Sequence, residues 1–241
     1  MAAPPSAETM VKAASSEWDE CAGTWDTMAG PTSHWAHDSH EKVMKLVKGK
    51  PGIKRVLDFG AGTGVLGLAL RTSLEAQGVE EVVFHDVAPK MLEEISKKIA
   101  AEGLTKTTVS PFTGNVAEAA STDLAAPFDL IVSGSVLTFV PDAHATISAL
   151  RERLTPGTGV MVHFVHQYTP PEKDESFSAS VANQAQYYSG FTHEDIQKVM
   201  QVEGLTEVAI EEFALRMSSS GEEGDTAPEP WKMWVASARR A

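Results

Sequence analysis

Asp58 stands just ahead of three glycines at alternate positions in the stretch VLDFGAGTGVLGLAL, residues 56–70. Glycines directly after a strand let the chain turn sharply and bring backbone against a ligand with no Cβ in the way. Two patterns fit the string. Gly62, Gly64 and Gly67 make G-x-G-x-x-G, the dinucleotide pattern, whereas Gly60, Gly62 and Gly64 after Asp58 make D-x-G-x-G-x-G. In the dinucleotide fingerprint the first glycine follows its strand closely, and Gly62 would sit three residues beyond the run RVLDF. A carboxylate at the strand end would also repel a pyrophosphate and favour a ligand carrying an ammonium group. The second count is preferred, and Gly67 reads as a packing glycine inside the following helix.

A few other side chains have the chemistry for a site. His166 ends an apolar run and is the best-placed general base, with His144 second; a plain surface histidine is an equal reading of each. HWAHDSH sets His34 and His37 three apart, on one helical face, with His40 rotated away. No metal site is expected there, because zinc needs three or four convergent ligands. Trp18, Trp25 and Trp35, with Tyr187 and Tyr188, could form an aromatic lid, a cation–π cage for an amine, or plain core.

The elements that position these residues alternate in period. RVLDF, EEVVFHD, TTVSPFTG, FDLIVSGSV and VMVHFVH read as strands, several nearly continuous in apolar residues as strands covered on both faces are. Between them VLGLALRTSL, APKMLEEISKKIAAEG and DAHATISALRERL carry apolar residues at helical spacing. THEDIQKVMQVEG reads as a helix capped by Thr192, and LTEVAIEEFALRM and WKMWVASARR as a closing antiparallel pair. The pattern predicts an α/β fold: a Rossmann-like, mostly parallel seven-stranded sheet with helices on both faces and an antiparallel edge hairpin. Ligands of such sheets bind at the carboxyl ends of the strands, here just after Phe59, Asp86, Gly114, Ser133 and His166.

Residues 1–16, rich in Ala, Pro and Ser, are expected to be a disordered tail, and 17–241 a single domain. Its parts are an aromatic-rich, helix-bearing N-terminal region (17–50), an alternating β/α core (54–165), a long polar stretch (166–191), and a closing helix with two strands (192–241). The 241 residues carry a formal net charge of −13, which argues against nucleic acid as a partner. One cysteine, Cys21, fits a reducing compartment, and no run reaches the ~18 apolar residues of a membrane span. With no leader-like segment at the N-terminus, a cytoplasmic location is the expectation.

VLDFGAGTG, VVFHDVAPKML, FDLIVSGSVLTFVPD and LRERLTPGTGVMVHF, in this order and at this spacing, resemble the successive motifs of class I S-adenosylmethionine-dependent methyltransferases. The similarity is to the small-molecule type, including the quinone-biosynthesis C-methyltransferases, and covers residues 54–165 best. It implies S-adenosylmethionine as cofactor and in-line transfer of its methyl group to a small-molecule acceptor. By the same resemblance Gly60, Ala61, Gly62 and Gly64 lie against the methionine portion, with Asp58 orienting its amino group. Asp86 would accept from both ribose hydroxyls, an acceptor-only carboxylate suiting a vicinal diol. Val87 and Met91 would pack on adenine, and Asn115 stands where the family often has an aspartate for the adenine amino group, so it is either a ligand or a turn residue. Val116 would offer a backbone amide, and Ser133 would complete the cofactor set. Trp25, His34, Tyr187 and Tyr188 are the acceptor-side candidates, and His166 is the base if the acceptor must lose a proton. The alternatives are a nicotinamide-dependent oxidoreductase using Gly62, Gly64 and Gly67, or a non-catalytic S-adenosylmethionine-binding protein.

Overall fold

The computed structural model describes residues 7–29, 34–50, 52–75, 77–110, 113–114, 116, 123–125, 127–167, 190–215 and 231–241. Two helices, α1 (Ala7–Ala29) and α2 (His34–Val47), precede the sheet. Then come β1 (Arg55–Phe59), α3 (Val65–Glu75), β2 (Glu81–His85), α4 (Pro89–Glu102) and β3 (Thr107–Val109). The second half holds β4 (Leu130–Gly134), α5 (Ala143–Glu152), β5 (Val160–His166), α6 (His193–Met200), β6 (Leu205–Leu215) and β7 (Trp231–Arg240).

The seven strands form one sheet in the order β3-β2-β1-β4-β5-β7-β6. The first five pair in parallel, and β7 pairs antiparallel with both β5 and β6, as the alternation of runs predicts. After β1 the chain builds outward through β2 and β3, then returns to place β4 on the other side of β1. This reversal leaves a crevice above the carboxyl ends of β1 and β4, because the flanking connections depart in opposite directions.

Both faces of the sheet are covered. On one, Val56, Phe84, Leu130, Val132, Val162 and Phe164 pack under α2, α3 and α4 through Val43, Val47, Leu66, Leu70, Leu74 and Ile95. On the other, Leu57, Val83, Ile131, Met161 and Val165 pack under α5 and α6 through Ile147, Leu150, Ile196 and Met200. Local signals set the helix ends. Asp142 accepts from the Ala145 amide ahead of α5, Thr192 and Asp195 form a reciprocal capping box on α6, and Gly103 closes α4 at φ 60°.

Two expectations are corrected. Residues 7–16 are not a disordered tail but the first half of α1, built from a run of good helix formers such as Ala, Glu, Met and Lys. The third strand is also shorter than TTVSPFTG, keeping only Thr107–Val109, since it pairs on one side alone. Among the described residues no helix is long and apolar enough to cross a membrane.

Candidate functional site

The glycine loop leaves β1 at once: Phe59 is the last strand residue and Gly60 the first of the turn. Gly60, Gly62 and Gly64 take φ of 66°, 54° and 82°, left-handed values that a side chain would strain, whereas Gly67 lies inside α3. The conformational demand therefore falls on the D-x-G-x-G-x-G count. Gly67 is small for another reason, since a Cβ there would stand 2.5 Å from Phe84 Cε1 and 2.7 Å from Asp58 Oδ2. At Gly60 a Cβ would collide with the Val136 side chain, while at Gly62 the nearest atom is Trp25 Nε1 at 3.8 Å. The backbone of Gly62 thus faces a gap roofed by an indole.

The loop is stitched to the end of β2. The Ala61 amide donates to the His85 carbonyl at 2.9 Å, and the Gly62 amide donates to Asp86 Oδ2 at 2.8 Å. Asp86 Oδ1 accepts from the Ala88 amide at 2.9 Å. Burial raises the Asp86 pKa against the lowering effect of these backbone donors. With about four acceptor positions on a carboxylate and the Gly62, Ala88 and Val87 amides on it, Asp86 still has acceptor capacity toward a ligand donor. Met91 and Ala88 are buried beside Asp86, and Val87 is half-buried.

Asp58 sits one layer deeper. It is 2% exposed, and its Oδ2 accepts from the Gly67 amide at 2.9 Å. Desolvation pushes its pKa up to about 7, only partly offset by that hydrogen bond and reinforced by the Asp86 charge.

On the other side of the crevice, Ser133 is fully buried and shares a 2.7 Å hydrogen bond with His163 Nδ1. Its side chain is committed to the sheet interior, so only its backbone borders the crevice. Ser135 follows with φ 62°, a strained value for a serine, its amide donating to the Phe164 carbonyl. Trp35 of α2 lies over Gly134, where a Cβ would strike its ring, and meets Phe164 edge-on at 5.4 Å. Burial depresses the pKa of His166, at the end of β5, to about 4, so at neutral pH it is an uncharged imidazole. His144 lies away from the crevice, its Nε2 at 3.3 Å from the Gln201 carbonyl.

Helix α1 roofs the β2 side of the crevice. Trp18, Cys21 and Trp25 pack around buried Ala22, Ala88 and Met91. Burial raises the Cys21 pKa, and the Asp86 charge below adds to it. Trp18 meets Trp25 at 5.1 Å and Phe139, in the turn after β4, at 5.2 Å, both edge-on.

Of the remaining sequence candidates, Val116 is buried with Leu57, Phe59 and Val83, and Asn115, Tyr187 and Tyr188 lie outside the described residues. His34 opens α2, with its side chain outside the described set. His37 pairs with Asp38 and His40 with Ser73. Among the described residues no three His, Cys, Asp or Glu side chains converge as a metal site. Sequence reasoning missed Asp19, Asp26, Thr63 and Lys98, which join α1 to the loop and to α4. The spacing of Trp18, Ala22 and Trp25 on one helical face was the only signal pointing that way.

Residues 57–160 match the family described as Methyltransferase domain. Among solved structures, the complex of the Haloferax volcanii Trm112 methyltransferase activator with a candidate methyltransferase gives a TM-score of 0.62 at 17% identity, covering 93% of this chain and 97% of that one. Haemonchus contortus Phospholethanolamine N-methyltransferase 2, with phosphomonomethylethanolamine and S-adenosylhomocysteine, gives 0.60 at 16% identity, over 84% of this chain and 52% of that one. Magnesium protoporphyrin IX methyltransferase from Synechocystis PCC 6803, with bound S-adenosylmethionine, gives 0.53 at 18%, over 86% and 80%. This chain spans about half the length of the Haemonchus protein. No curated protein matches.

The strand order, the reversal at β1 and these likenesses define the class I methyltransferase fold. With that fold, the core of the chain, residues 57–160, is the part that matches the methyltransferase-domain family.

Proposed function

We propose that this protein binds S-adenosylmethionine in the crevice above β1 and β2 and transfers its methyl group to a small-molecule acceptor by in-line displacement. The observation that carries the reading is the left-handed Gly60–Gly64 loop tied to Asp86 through the Gly62 amide, at the reversal of strand order. The residues suit the cofactor. Gly60, Ala61, Gly62 and Gly64 offer bare backbone to the methionine portion, and an ammonium group arriving beside Asp58 would favour the ionised form of that buried carboxyl. Asp86 is an acceptor-only group facing the place of the ribose hydroxyls, and Ala88 and Met91, with half-buried Val87 beside them, make an apolar seat for adenine. Asn115 and the Val116 backbone are assigned to the adenine edge.

When bound, the cofactor supplies a methyl group already activated on a sulfonium. The protein's part is alignment and exclusion of water. Trp25 over Gly62 and the Trp18–Phe139 pair across the crevice serve that end. Trp35, Phe139 and a neutral His166 support an uncharged, partly apolar acceptor over a charged one, with His34, Tyr187 and Tyr188 assigned to the same side. His166 would accept a proton only from a group far more acidic than an alcohol, since its own pKa is about 4. The net charge of −13 supports a small molecule over nucleic acid, and the lone cysteine supports a reducing, cytoplasmic setting.

The test has two parts. Calorimetry should give saturable binding of S-adenosylmethionine and none of NAD, and incubation with methyl-labelled donor and a metabolite extract should yield a labelled product identified by mass. Absence of donor binding refutes the reading; binding without any labelled product leaves a non-catalytic binding protein.

A further inference from the structure

Helix α1 is attached to the domain in an unusual way. It spans 23 residues, yet of those whose burial is described only Ala22 is buried, and it enters neither of the two large cores. Its apolar seat is the small cluster with Ala88 and Met91, the same residues that border Asp86. An element with so little buried apolar surface belongs to the low-stability end of a structure and opens locally at small cost.

What holds it is a polar clamp. Asp26 Oδ1 accepts from the Thr63 hydroxyl at 2.5 Å, and Asp26 Oδ2 pairs with Lys98 Nζ at 2.5 Å. Lys98 Nζ closes the triangle by donating to the Thr63 carbonyl at 2.7 Å. Two turns earlier, Asp19 Oδ1 accepts from the Lys90 amide at 2.8 Å, satisfying an open donor in the first turn of α4. Asp26 thus ties three elements together: α1, the glycine loop and α4. Between the two clamps, Trp25 stands over Gly62 and Cys21 and Ala22 over the Asp86 region, so the route into the crevice from the donor side runs beneath α1.

We propose that α1 is a releasable lid over the donor crevice and that Asp26 is the positioning residue that latches it, so that donor entry and product exit require the Asp26–Thr63–Lys98 clamp to open. The proposal rests on the methyltransferase reading above. Because the latch grips Thr63, within the loop that holds the ligand, lid closure and ligand binding reinforce one another: a ligand that orders the loop also orders the partner of Asp26. Lys98 is 19% and Asp26 36% exposed, so the ion pair is open enough to solvent for salt to weaken it.

The experiment follows dissociation of S-adenosylhomocysteine from the full chain by stopped-flow tryptophan fluorescence, for the wild type, Asp26→Ala and Lys98→Met. Both variants should release the ligand about tenfold faster. The wild-type rate should climb between about 0.05 M and about 0.5 M salt while the variants stay flat. Hydrogen exchange across residues 7–29 should slow on ligand binding in the wild type. The salt series on the wild type keeps the test intact if a variant fails to fold. Release that is equally fast in all three proteins and indifferent to salt overturns the latch alone. Failure of the wild type to bind S-adenosylhomocysteine by calorimetry overturns the methyltransferase reading, and the latch falls with it.

Discussion

Asp58 stores a pH dependence that a single substitution should expose. Its carboxylate is enclosed between β1 and α3, and desolvation lifts its pKa from 3.8 to about 7. The sign follows from linkage. Between those two values the folded chain holds the proton and the unfolded chain releases it, so this residue's contribution is fully present below pH 3.8 and is lost as pH rises through about 7. At 1.36 kcal/mol for each pH unit the whole effect is about 4 kcal/mol, of which about 3 kcal/mol falls between about pH 5 and about pH 8.5. Asp58→Asn keeps an oxygen to accept from the Gly67 amide and removes the titration. Urea unfolding of both proteins should therefore show the variant gaining on the wild type by about 3 kcal/mol across that range. The difference isolates Asp58 from the desolvated histidines, of which His85 and His163 are buried and His166 half-buried. Burial lowers the pKa of His85 and His166 to about 4 and of His163 to about 3, so they contribute stability above 6.5 that is lost as pH falls, equally in both proteins. A stability difference that stays constant with pH would refute the buried, protonated state of Asp58.

Other expectations can be checked alongside. Asp86→Ala should weaken S-adenosylmethionine binding by at least about tenfold in calorimetry, from one or two lost charged hydrogen bonds of roughly 1.5–3 kcal/mol each, and unchanged affinity would remove Asp86 from the site. Gly67→Ala should lower stability by about 1–3 kcal/mol in urea, since its methyl would press on Phe84 and Asp58, and an unmoved midpoint would show that α3 shifts freely from the sheet. The turnover rate should show no inflection near pH 6.5 from His166, whose pKa is about 4; an inflection there that His166→Gln abolishes would contradict its burial.

What could be read before the fold was known was whatever depends on near neighbours in the chain. The strands β4 and β5 announce themselves by continuous apolar runs, and the Thr192 cap of α6 by a hydroxyl three residues ahead of an acid. The glycine loop was legible for the same reason, since its φ angles and the strand end before it are local matters. The partners of Ser133 and Asp26 were not. Ser133 meets His163 because β4 and β5 pair in register, which places the two side chains on one face only once the strand order exists. Asp26 reaches Thr63 across 37 positions, and Lys98 reaches Thr63 across 35, through a helix whose Ala- and Ser-rich sequence looks featureless without its seat. Its residues favour a helix, but an isolated helix is marginal in water, and contact with Ala88 and Met91 gives α1 a preferred face.

The two borders of the sheet carry a consequence of another kind. β3 is three residues long, and β6, the opposite border, is interrupted where its register to β7 shifts between Thr206 and Ala209, with Glu207 at φ 52°. Glu207, Glu211 and Glu212 stand along the same strand. A straight run of unpaired amides invites a second sheet to add on, and a short strand, a bulge and repeated like charges each frustrate that addition. The borders of this fold are thus built against self-templating, which keeps newly made chains, crowded and only partly folded, from joining edge to edge.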